Sequence, residues 1–164
     1  MNKLRKKLDQ LPVPETKDKF DLQKNLIEEK LRKELNHSIK HSKYCKCKFP
    51  TFEMCFSFAL GIPESIIKKN IFNYKPFIKF LIDEKVLIPN KSGKLIFYGK
   101  YPLFEHAGIK KGKRVISKWG LGHIWEHDIN DVPKKYGNYA FYDLPSKNLI
   151  IKKLKEYSSN IKIK

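Results

Sequence analysis

Residues 103–137, LFEHAGIKKGKRVISKWGLGHIWEHDINDVPKKYG, decide how this chain is read. The window holds three of the five His, both Trp and five of the eight Gly. Gly gives up backbone order and Trp demands a large fitted pocket, so their crowding beside His marks a candidate site. Two runs of alternating character, 104–109 and 114–119, flank Lys110-Lys111-Gly112-Lys113. A Gly in that place supplies the positive φ of a tight hairpin turn. With Lys111 and Gly112 as the loop residues, His106 falls directly opposite Ser117, within reach of its hydroxyl.

Working outward, residues 94–99 are expected to form a strand leading into this hairpin. Residues 138–142 form another, and a Lys-rich helix follows Pro145 and frays after Tyr157. Upstream, residues 50–61 read as a short buried helix with Thr51 as N-cap and Gly61 as its stop. Cys55 then sits near the first turn, where unpaired N–H groups favour a thiolate. Further short helices are expected from Pro63 and from Pro76, the latter at a first helical position. Near Thr16 or Asp18 an amphipathic helix begins, with Ile27, Leu31, Leu35 and Ile39 recurring every four residues.

His37 and His41 follow one turn apart, and Cys45 and Cys47 come next. This H-x3-H-x3-C-x-C run offers four zinc-type ligands. Structural zinc usually draws ligand pairs from two separate elements, and Lys40, Lys43, Lys46 and Lys48 crowd this one with positive charge. The run is therefore read first as solvated His and incidental Cys, with a zinc-stabilised adaptor on His37, His41, Cys45 and Cys47 as the alternative, and no cofactor is expected.

The chain has 164 residues, of which 41% are hydrophobic, enough for one folded domain with a core. Its longest near-apolar run, residues 55–62, is too short to cross a bilayer, and the basic N-terminus lacks the apolar segment of a secretory signal. A cytoplasmic protein with reduced cysteines is expected. The formal charge of +18 favours polyanionic partners. Only three of the basic residues are Arg, which argues against specific base or phosphate recognition.

The order of elements, with the strings MCFSFALG, FEHAGI, RVISKWG, WEH and VPKKYG, resembles the papain-like cysteine hydrolases of the NlpC and CHAP type. The resemblance covers residues 52–142 and includes a poorly characterised bacterial and phage branch. It implies an α+β fold with N-terminal helices packed on a small antiparallel sheet. Residues 1–45 would be a basic helical extension and 46–164 the papain-like domain. It further implies Cys55 as nucleophile, His106 as base and Ser117 as third member, with Glu126 or His127 as alternatives. Trp119, Gly120, Trp125 and Tyr136 would shape a groove for a peptide or protein substrate, such as a cell-wall peptide. The reaction would be amide hydrolysis through an acyl-enzyme. The alternative is an inactive basic binding module of the same fold, for nucleic acid or a protein partner.

Overall fold

A computed structural model describes residues 3–35, 37–43, 45, 54–67 and 73–162 of the chain. The fold is α+β, built on a six-stranded antiparallel sheet. Its strands are β1 (Lys40–His41), β2 (Leu95–Lys100), β3 (Leu103–Lys111), β4 (Arg114–Lys118), β5 (Ile124–Asp128) and β6 (Tyr139–Tyr142). They lie in the order β1-β5-β4-β3-β2-β6. Helices α1 (Lys3–Leu8), α2 (Lys17–Asn25) and α3 (Arg32–Leu35) precede the sheet. Helices α4 (Cys55–Leu60), α5 (Glu64–Ile67) and α6 (Tyr74–Asp83) lie between β1 and β2, and α7 (Lys147–Lys162) ends the chain.

Local chemistry accounts for most of these boundaries. Thr16 caps α2 by accepting the Lys19 N–H. The helix continues as wider π turns over Leu26–Leu31 before α3. At α4, Ser57 Oγ accepts the Met54 N–H at 2.8 Å, so Cys55 is the first helical residue. Gly61 ends that helix at φ +66, while the expected cap Thr51 lies outside the described residues. Asn73 caps α6, which places Pro76 at the third helical position rather than the first. Its missing N–H costs nothing there, because the first four N–H groups of a helix have no internal partner. Helix α7 runs on past Tyr157 to Lys162.

The two faces of the sheet carry separate cores. On one, Leu95, Phe97 and Ala107 pack with Cys55, Phe56 and Leu60 of α4, Phe77 and Leu81 of α6, and Ile150 and Leu154 of α7. On the other, Trp119 and Trp125 pack with Leu4, Leu8, Ile27, Leu31 and Ile39. Ile96, Tyr98, Val115 and Val132 form a third cluster, with Ile96 and Tyr98 opposite in strand parity to Leu95 and Phe97. Of residues 1–45, expected as a basic helical extension, Leu4, Leu8, Ile27, Leu31 and Ile39 thus share a core with the sheet, and Lys40–His41 supply its edge strand β1. Among the described residues no helix is long and apolar enough to cross a membrane.

Candidate functional site

The central hairpin forms as expected but closes one residue later. β3 and β4 pair Ile109 with Ile116, Lys110 with Val115 and Lys111 with Arg114, leaving Gly112 and Lys113 as the loop. Gly112 takes φ +61 at the first loop position, where a type II′ turn requires it. The shift puts Gly108, not His106, beside Ser117: a Cβ on Gly108 would lie 3.0 Å from the Ser117 Cβ. Serine as direct orienter of His106 is therefore corrected by the register.

Ser117 serves a different imidazole. β5 pairs with β4 so that His127 and Trp125 share a face with Val115 and Ser117. The His127 Nδ1–H donates to the Asp128 carbonyl at 2.8 Å, which leaves Nε2 as an acceptor. The Ser117 hydroxyl donates to that Nε2 at 2.7 Å and accepts the Trp119 indole N–H at 3.0 Å. All three side chains are buried. Burial pushes the His127 imidazole down to about 4, so it is neutral at pH 7.

His106 lies on this same side, paired with Tyr98 across the β2–β3 ladder. Its ring stacks on Tyr136 at 4.5 Å and 9°, and Nε2 is buried with no hydrogen-bond partner. Burial first, and then the neighbouring His127, hold its imidazole well below the ordinary histidine range. A β-bulge falls at Tyr98/Gly99, immediately beside the pair.

Cys55 is buried at the start of α4. It packs with Ala107 and Phe97, whereas His106 and Tyr98, their neighbours in sequence, point the other way. The thiol is buried, and desolvation pushes it up to about 11 despite opposing main-chain hydrogen bonds led by Ala107. The helix start alone does not make a thiolate here. Strand parity turns His106 and Ala107 to opposite sides of β3, and the His106 Nε2 makes no hydrogen bond to the Cys55 thiol, although Cys55 interacts with the Ala107 main chain and with Tyr136, the ring stacked on His106.

Of the remaining expected residues, Glu126 is half-buried and pairs with Lys40 at 3.1 Å and Arg114 at 3.5 Å, an edge ion pair away from Cys55. Trp119, Gly120 and Tyr136 do line one cavity, of about 220 Å³. Its far wall is Leu8, Leu11, Pro12, Val13, Pro14 and Gln23 from the N-terminal layer. Trp125 is not in it; it is fully buried in the core.

The H-x3-H-x3-C-x-C run does not stay together as a set. His37 lies outside any helix, its Nε2–H donating to the Ile27 carbonyl and its Nδ1 accepting the Ile39 N–H. His41 is on β1, not one helical turn further on. Cys47 lies outside the described residues. His41 and Cys45 instead meet His123, from the turn that joins β4 to β5. Their donor atoms lie within 4.8 Å of one another, the one such group of three among the described residues searched. The sequence reading gave His123 no role, its only mark being its place after Gly120 and Gly122 at the mouth of a strand.

Comparison with protein-family models, with curated proteins and with solved structures finds no match for this chain.

Proposed function

We propose that this protein is a basic binding module without resting catalytic activity, and that its partner is a polyanion such as nucleic acid. The observation that carries this reading is that Cys55 is buried with Ala107 and Phe97 while the buried Nε2 of His106 makes no hydrogen bond to it. A thiol hydrolase needs its imidazole within hydrogen-bond reach of the sulfur. Here the thiol is protonated, the imidazole is neutral, and both are buried.

Charge supports the partner class. Even if each of the 17 acidic residues met one basic residue, 18 of the 35 basic residues would remain unmatched (35 − 17 = 18). Lys111 and Lys113 stand exposed at the β3–β4 hairpin, and Lys147, Lys152 and Lys155 are exposed on α7 while Ile150 and Leu154 enter the core. Lysines acting as point charges give binding that ignores sequence and weakens steeply with salt.

A second reading, a papain-like amide hydrolase with Cys55 as nucleophile and His106 as base, draws on one feature. The first turn of α4 seats Cys55 against Ala107, next to His106, whose partnerless Nε2 lies beside a β-bulge. Bulges of this kind re-aim side chains near active sites.

One pair of measurements separates the two. Anisotropy of labelled single-stranded oligonucleotides of differing sequence should show equal affinities that fall together as salt rises. Haloacetamide alkylation of Cys55, followed by peptide mapping from pH 4 to 10, should be slow until pH rises above the free-thiol range. Salt-independent or undetectable oligonucleotide binding would overturn the binding module. Fast labelling below pH 7 that is lost in His106→Ala would install the hydrolase in its place.

A further inference from the structure

We propose that His41, Cys45 and His123 form a site for one divalent ion of the zinc class, joining edge strand β1 to the β4–β5 turn. His41 Nε2 lies 3.0 Å from His123 Nδ1, and Cys45 Sγ lies 3.8 Å from that same nitrogen. A tetrahedral zinc with ordinary bond lengths sets two nitrogens about 3.3 Å apart, and a nitrogen and a sulfur about 3.6 Å apart. Both distances to His123 Nδ1 thus lie within a few tenths of an ångström of those values, and all three donor atoms lie within 4.8 Å of one another.

The bland alternative is a hydrogen-bonded imidazole pair. That would account for two residues and leave the convergence of the thiol on the same nitrogen unexplained. Two imidazoles and a thiolate are the donor set that zinc and cobalt prefer over magnesium or calcium, which take oxygen. The surroundings suit an ion. The Ile124 N–H points at Cys45 Sγ at 3.4 Å, a main-chain dipole that stabilises a thiolate ligand. The His123 ring packs against Phe20 at 3.9 Å, and its Nδ1 is the nitrogen that faces both His41 and Cys45. Lys40, beside His41 in sequence, turns to Glu126.

The fold gives the ion something to do. β1 is held to β5 by only two residue pairs, Lys40 with Glu126 and His41 with Trp125. An ion gripping His41 and Cys45 on one side and His123 on the other would pin that edge. With three donors among the described residues, a fourth tetrahedral position remains for a further ligand.

The test is a cobalt(II) and zinc(II) titration of the full-length protein after chelation and reduction. Expected are one ion per chain, a thiolate-to-cobalt charge-transfer band displaced by zinc, and a melting temperature that rises with free metal by mass action. Cys45→Ser should remove the band while Cys55→Ser keeps it, and His41→Asn should weaken binding by at least about tenfold. His41 and Cys45 are only half-buried, so both variants are expected to fold, and the metal-free melt checks that they do. Absence of stoichiometric uptake by the wild type, or uptake unchanged in both Cys45→Ser and His41→Asn, would overturn the site. Neither result depends on whether the protein binds polyanions.

Discussion

The Ser117 hydroxyl meets Nε2 of His127 at 2.7 Å while accepting the indole N–H of Trp119, with all three side chains buried beneath the N-terminal helices. A serine bound to a neutral imidazole looks like a nucleophile and its base, but no substrate reaches it. Its work is to satisfy two buried polar groups at once. Ser117→Ala orphans both, and each such group costs about 1–3 kcal/mol. Urea denaturation should show that loss in the midpoint with an unchanged slope. Unchanged stability would mean the hydroxyl is not what holds the network.

The two sheet imidazoles make the protein acid-labile. The folded His127 titrates near 4 and the unfolded near 6.5, so between these values only the unfolded chain takes up the proton. Stability is fully present above pH 6.5 and falls as pH drops toward 4. The depression corresponds to about 3 kcal/mol at the acid end, and His106 shifts in the same direction. Urea midpoints measured from pH 7.5 to 4.5 should decline steadily across that window. A flat profile would show that these rings are not buried neutral.

His106 itself contributes a ring stack and an unsatisfied nitrogen. His106→Phe keeps an aromatic face against Tyr136 and removes the partnerless Nε2. Stability at pH 7 should be equal or higher, since replacing an unpaired buried polar atom by carbon removes a desolvation cost. The acid sensitivity should also shrink. A loss of more than about 1 kcal/mol would mean Nε2 has a partner in solution.

What the sequence made legible follows from how local each signal is. Thr16, Gly61 and Gly112 shape their own turns, so the start of α2, the stop of α4 and the existence of the hairpin were readable, whereas α6 starts at its Asn73 cap, ahead of the expected Pro76. The register was not: Lys110-Lys111-Gly112-Lys113 permits Gly112 as first or second loop residue, and only the turn geometry chooses. Nor did strand alternation reveal that Cys55 packs on the Ala107 side, because periodicity does not say which face a helix will cover. The metal donors are the extreme case, with His41 and His123 separated by 82 residues. The four-residue apolar recurrence from Ile27 also carried the expected helix past its true end. Ile39 is buried in the same cluster, but it lies outside the helix, its N–H held by the His37 side chain.

The N-terminal layer provides the last test, because both Trp of the chain sit in its core. Ile27 is fully buried against the cluster that holds Trp119 and Trp125. Ile27→Ala should cost about 2–5 kcal/mol, as large-to-small core substitutions do. If residues 3–41 were an appendage, only the Trp fluorescence would change and the far-ultraviolet dichroism transition would stay in place. A shared core instead requires both probes to move together in one transition to lower urea. Separated transitions would return the N-terminal segment to the status of an extension. Coincident ones would place the β1 edge, and the His41 and Cys45 donors with it, inside the cooperative unit.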